Sequence, residues 1–174
     1  MYGWGEVIAF EAQERVYYAL AGNIVMNNCF NATAHLKAVG KEMGAIDIPQ
    51  PDYFKPSSFG SLEIRKSESN EFIGQTIDYD SSKCFSVPLI TIDSLQLKRL
   101  DLIKIDIEGM EVEALEGAKN SIEKFLPILS IEKIKSDENI IKQFLTSLGY
   151  KIYFMGINIV AIHESDPAHK LIPN

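Results

Sequence analysis

"LIKIDIEGMEVEALEGA", residues 102–118, is the stretch whose reading decides the fold. "DLIKIDI" (101–107) is rich in Ile and Leu with Lys104 as its one interruption, the composition of a buried strand. A helical period follows at once through Val112, Leu115, Ala118 and Ile122. Between the two lies a knot of carboxylates, Asp106, Glu108 and Glu111, around Gly109. The expectation is a central strand, a tight turn at Gly109, and a helix in which Gly117 is a tolerated interior break.

The same alternation extends in both directions. Upstream, "EVIAFE" (6–11) has strand length, and "RVYYALAGNIVMNN" repeats Val16, Leu20 and Ile24 every fourth position. "ATAHLKAVG" (32–40) reads as the next strand, so the chain opens with a βαβ unit. Downstream, "PILSIE" (127–132) is a buried-type strand and "DENIIKQFLTSLG" (137–149) an amphipathic helix with a glycine stop. "YKIYFMG" and "NIVAIH" form two closely spaced strands, read as an antiparallel hairpin joined at Gly156. From 45 to about 92 no helical period appears; "FGSLEI" and "EFIGQTI" flank the polar "RKSESN", which predicts a hairpin inserted beside the main sheet. The organisation expected is one α/β domain over 1–165, with a mostly parallel sheet, an antiparallel C-terminal hairpin and the inserted region 45–92, then a tail over 166–174.

Bulk properties narrow the function classes. The chain has 174 residues, 46% hydrophobic and 24% charged, enough to bury a real core. A formal net charge of −7 argues against a phosphate-tracking, nucleic-acid-binding surface. No apolar stretch approaches the roughly 20 residues needed to cross a bilayer, and the start lacks a signal-peptide pattern, so a cytoplasmic protein with no membrane partner is expected. Cys29 and Cys84 stand alone and read as buried or half-buried free thiols. The sequence contains no GxSxG, HExxH, P-loop or CxxC motif.

In open α/β sheets ligands bind outside the carboxyl ends of the strands, and here those ends carry Glu11, Asp106 with Glu108, and Glu132. An acid closing the strand of a βαβ unit can accept both hydroxyls of a nucleoside ribose, the role read for Glu11; the alternative is a helix N-terminal carboxylate favoured by the dipole. Asp106 at the strand mouth could orient a substrate hydroxyl, accept its proton, or hold a metal with oxygen ligands. Glu108 divides between function and helix start, and Glu111 belongs to the helix start. Glu132 approaches the same cleft as Asp106. His35, His163 and His169 have no partners at ligand spacing and stay unassigned.

"VIAFEAQERVYYALAGNIVMNN", "SFGSLEI" and "ITIDSLQLKRLDLIKIDIEGMEVEALEGAKNSIEKFLPILSIE" resemble, in order and spacing, the FkbM-type methyltransferases. The resemblance spans almost the whole chain and is most specific in "LDLIKIDIEGMEVEALEGA". It implies a class I Rossmann-like fold, S-adenosylmethionine as cofactor, and methylation of a hydroxyl on a sugar, glycan or other small molecule. It also implies Glu11 as the ribose acid and Asp106 as the residue beside donor and acceptor. The candidate set is then Asp106 and Glu132 as catalytic residues and Glu11, Asp106 and Glu108 on the cofactor, with no residues assigned to a metal. A departure accompanies it: the D-x-G-x-N-x-G loop of the family's first strand does not occur, so the first strand and helix are expected to be missing. The fragment is then expected to bind cofactor poorly, and unpaired strand edges would favour homo-oligomers.

Three rival readings remain at this level. A nicotinamide-dependent oxidoreductase also uses a strand-end acid on ribose, but it lacks the glycine fingerprint and a Tyr-x-x-x-Lys. A non-catalytic binding or assembly remnant of the methyltransferase fold is the second. The third gives Asp106, Glu108 and Glu132 to a divalent metal.

Overall fold

The structure is a computed structural model that describes residues 5–68 and 70–171, apart from the His169 side chain. The first four residues of "MYGWGEVIAF", the His169 side chain and the last three residues of the tail lie outside that description. The chain divides into two compact units, one of Met1–Ala38 with Met43–Ile90, the other of Val39–Glu42 with Thr91–Asn174.

In the first unit β1 (Val7–Glu11), α1 (Glu14–Met26) and β2 (Ala32–Leu36) make the expected βαβ unit. β1 and β2 are parallel in the register Val7↔Ala32 to Glu11↔Leu36. Val16, Leu20 and Ile24 lie on the half-buried side of α1, as their spacing predicts, and Asn28 ends the helix region at φ 56°. The stretch 32–40 is not one strand. It breaks at Lys37, whose N–H donates to the carbonyls of Glu11 and His35, and resumes as the two-residue β3 (Ala38–Val39).

The inserted hairpin also falls elsewhere than expected. The antiparallel pair of this region is β4 (Gly44–Pro49) with β5 (Cys84–Ile90), in a sheet of order β3-β5-β4. "FGSLEI" and "EFIGQTI" contain no strand; Phe59–Ser61 is a single 3-10 turn. Side chains there occupy backbone groups that a ladder would use: Glu63 accepts from the Glu71 N–H, and the Gln75 amide bridges Asp52 N–H and carbonyl. The segments instead sink Leu62 and Ile73 as isolated apolar anchors. The unit's core gathers Ile48, Val87 and Ala38, with Leu36, Ile46 and Leu89 packed on it.

The second unit contains β6 (Leu102–Ile105), α2 (Glu111–Glu116), α3 (Lys119–Phe125), β7 (Ile128–Glu132), α4 (Glu138–Ser147), β8 (Tyr150–Met155) and β9 (Asn158–His163). Its sheet has the order β6-β7-β9-β8, with β6 parallel to β7 and the other pairs antiparallel. β6 was expected to be central; among the described residues it is the edge of this sheet, and it alternates rather than burying both faces. Ile103 and Ile105 point into the core with Leu129, Ile131 and Ile159, whereas Leu102 is 60% exposed.

The helix predicted through 112–122 is two helices. Gly117 sits where a Cβ would lie 2.0 Å from the Gly40 carbonyl oxygen, so this glycine permits a close backbone approach rather than merely interrupting a helix. The new helix start at α3 is held by Asp93, which accepts from the N–H groups of Asn120 and Ser121. α4 is capped by Asp137, which accepts from Asn139 and Ile140 N–H, and it leaves through Gly149 at φ 81°. No helix among the described residues is long and apolar enough to cross a membrane.

Candidate functional site

Strand register places the acids of the second unit. The last cross-strand pair of β6 and β7 is Ile105↔Ile131, and both isoleucines are buried on the core face. The next residues, Asp106 and Glu132, therefore emerge side by side on the opposite face, the one that also carries Lys104 and Ser130. Lys104, two residues before Asp106, places its ammonium 2.7 Å from Asp106 Oδ2. Asp106, Glu108 and Glu132 each offer a carboxylate oxygen within 4.8 Å of the others. The structure thus brings together the three acids named for this unit.

Their ionisation is uneven. The hydrogen bond between the Glu132 and Asp106 carboxyls, reinforced by burial and by the negative charges of Asp106 and Glu108, pushes Glu132 up to about 7. The same hydrogen bond, against the effect of burial and with help from Lys104, holds Asp106 below the usual carboxylate range. Below a pH of about 7 the proton of the pair resides on Glu132, while Asp106 stays ionised beside its lysine. Burial raises Glu108, and an ion pair with Lys135 opposes it at 2.9 Å.

The loop between β6 and α2 explains how Glu108 reaches that position. Glu108 adopts φ 56° and Gly109 φ 98°, two successive left-handed residues that turn the chain sharply. Glu111, expected only to favour the helix dipole, is 2% exposed and acts as the anchor of this turn. Its carboxylate accepts from the N–H groups of Ile107 and Gly109 and from the Ser136 hydroxyl. Sequence reasoning missed this anchor and missed Lys135, whose side chain is 13% exposed. The one signal available was electrostatic: an acidic group drawn out of water needs a counter-charge, and "KIKSDEN" supplies the nearest lysines. Lys104 and Lys135 already occupy two of the three carboxylates as ion-pair partners.

Glu11 belongs to the first unit and is described there alone. It ends β1 half-buried, and its Oε1 accepts from the Gln13 N–H at 2.7 Å. Burial raises its carboxyl, with that backbone hydrogen bond opposing. The Ala12 N–H acts on the same carboxylate in the same sense, so the chain itself orients this acid. His35 stacks on Phe10 at 5.4 Å, and His163 bonds the Ser165 hydroxyl and meets Tyr150 edge-on. Both free cysteines lack a bridge; Cys84 is half-buried, and Cys29 is exposed rather than shielded.

The family model described as the methyltransferase FkbM domain matches residues 1–152. This chain belongs to the methyltransferase FkbM family. Among solved structures the FkbM chain is similar to the methyltransferase FkbM from Methylobacillus flagellatus KT, with TM-score 0.58 and 17% identity, which supports the α/β fold. That likeness covers 91% of this chain and 36% of the other, so the FkbM chain spans about a third of its solved relative. No protein of curated function matches it.

Proposed function

We propose that this FkbM-family chain carries the proton-handling acids of an S-adenosylmethionine-dependent O-methyltransferase activity, and that the acceptor is a hydroxyl of a sugar or other small molecule. The observation that supports it most directly is the carboxyl pair of Asp106 and Glu132 at the mouths of adjacent parallel strands, with Glu132 at about 7. A general base works best when its pKa lies near the working pH. Glu132 meets that condition; Asp106, kept ionised by its partner carboxyl and by Lys104, is a weaker base and a better orienting group.

The residues present fit the cofactor in two respects. Glu11, at the end of β1, is the type of acid that suits a ribose hydroxyl; taken by itself, the acidic group of the second unit suits a positive centre. Bound S-adenosylmethionine supplies an electrophilic methyl group carried on a sulfonium. The chain's own part is as follows. Asp106 accepts a hydrogen bond from the acceptor hydroxyl and fixes its direction. Glu132, once ionised, takes the proton of that hydroxyl. Glu108, tethered to Lys135, adds negative charge that keeps the Glu132 proton affinity high. Lys104 holds the Asp106 carboxylate in place. We place the protein in the cytoplasm on the strength of its free thiols.

The decisive experiment measures label transfer from S-adenosylmethionine to a panel of hydroxylated acceptors between pH 5.5 and 9. The expected outcome is a rate limb that rises with unit slope and levels off above a pH of about 7, and a loss of about 100-fold or more in Glu132→Gln. Transfer by Glu132→Gln at the native rate would reject Glu132 as base. Calorimetry with S-adenosylhomocysteine, in the native chain and in Glu11→Ala, tests the ribose assignment separately.

A further inference from the structure

We propose that Glu111 and the Ser136 hydroxyl are positioning residues for the cleft acids: together they hold the backbone that follows Asp106, and so keep the Asp106 carboxylate against Glu132. The inference rests on the reading of Asp106 and Glu132 as proton-handling acids for the reaction it serves. The hold itself is read from hydrogen bonds within one unit.

A hold is needed because the ladder stops short. The last pair of β6 and β7 is Ile105↔Ile131, so Asp106 lies just past the paired backbone, and it is exposed. The Lys104 ammonium pulls on its carboxylate at 2.7 Å, but an ion pair open to water restrains little. Beyond Asp106 the chain enters the left-handed residues Glu108 and Gly109. A non-glycine residue keeps such a conformation only where its surroundings impose it.

Glu111 imposes it. The residue opens α2, yet its carboxylate turns away from that helix and accepts from the Ile107 N–H at 3.2 Å and the Gly109 N–H at 3.1 Å, both upstream of it. These bonds of a buried acid serve the turn and not the helix end. The Ile107 N–H belongs to the peptide group that begins at the Asp106 carbonyl, so it restrains the backbone immediately beside Asp106. Ser136 brings in the other strand. It lies on the segment that leaves β7 after Glu132, and its hydroxyl donates to Glu111 Oε2. One carboxylate thus ties both strand mouths, and the Lys135–Glu108 pair spans the same two segments. A carboxylate withdrawn from water is stable only with its acceptor positions filled, so slack in one of these bonds is passed to the others.

The Glu132 proton reports the position of Asp106, because the hydrogen bond between the two carboxyls is its main support. Glu108 and Lys104 also act on Glu132, and Lys135 acts on Asp106 and Glu108. Carbon-13 NMR of the side-chain carboxyls, with Glu132 assigned by its loss in Glu132→Gln, follows the whole chain from about pH 4 to about pH 9. The native midpoint is expected at about 7. Ser136→Ala lowers it by about half a pH unit or more, and Glu111→Gln by about one. Ser136→Ala changes no charge and alters a half-buried position, so the variant keeps the fold and its shift reports geometry alone. Gly117→Ala strains the same unit at the Gly40 carbonyl and leaves the midpoint in place, which separates positioning from general loss of stability. A midpoint that stays or rises in either cleft variant, an equal fall in Gly117→Ala, or a native midpoint at the ordinary 4.5 overturns the proposal. No acceptor or cofactor enters the titration, so a failure of methyl transfer would count against the functional reading and leave this measurement standing.

Discussion

At the scale of single residues, two carboxyls of one cleft do opposite work. Glu132 is raised to about 7 in the folded chain from an ordinary 4.5, so the folded state holds its proton more tightly than the unfolded state does. Its contribution to stability is therefore fully present below pH 4.5 and is lost as pH rises through about 7. Glu132→Gln removes that decline, and urea titrations between pH 4.5 and 8 should show the variant gaining on the native chain as pH increases. Asp106 has the opposite sign, its contribution fading only as the medium becomes acidic enough to protonate it. Glu111 behaves differently again. Truncation in Glu111→Ala leaves two backbone N–H groups and the Ser136 hydroxyl without their acceptor in a buried position. A loss of about 3 kcal/mol in chemical denaturation is expected, and Glu111→Gln should recover part of it.

Elements show where a sequence speaks and where it falls silent. β1, α1, β6, β7, α4 and the β8–β9 hairpin were legible because each carries its own period and its own stop signal, Gly149 and Gly156 among them. The same logic put Asp106, Glu108 and Glu132 at strand mouths, which is where they lie. The failures share a cause: they depend on partners distant in sequence. No local pattern in "EVEALEGAKNSIEKF" reveals that Gly40 presses against Gly117, and none in "FGSLEI" reveals that Glu63 takes the N–H of Glu71. Lys135 likewise reads as a surface lysine until Glu108 is set beside it. The Gly117 contact is open to direct test. Its φ of −75° suits alanine, so Gly117→Ala costs nothing in backbone conformation and should gain slightly in helix propensity. The steric conflict with the Gly40 carbonyl dominates instead, and a net loss of about 3 kcal/mol is expected by thermal or urea unfolding.

Over the whole molecule, apolar burial is distributed unequally. The second unit's core contains 14 buried residues, from Ile92 to Ala161, among those described, and the first unit's contains three, Ala38, Ile48 and Val87. α1 has no buried residue at all. Opening free energy follows buried apolar contact, so hydrogen exchange should rank the amides of β7 and β9 as slowest and those of α1 and β2 as distinctly faster. Uniform protection across both units would contradict this. Net charge and composition, legible from the start, report only the average of these two unequal parts.

The path of the chain through these units has a consequence for how the protein is made. Val39–Glu42 belongs to the second unit, yet the ribosome delivers it before the whole of 43–90, which belongs to the first. The short segment must wait for its partners while an entire intervening block is synthesised, and the Gly40 carbonyl meets Gly117 only after α2 has emerged. Neither unit is a continuous piece of the gene: a cut after Ile90 parts Val39–Glu42 from the rest of the second unit, and a nascent chain that has reached only Ile90 carries a guest segment with no host.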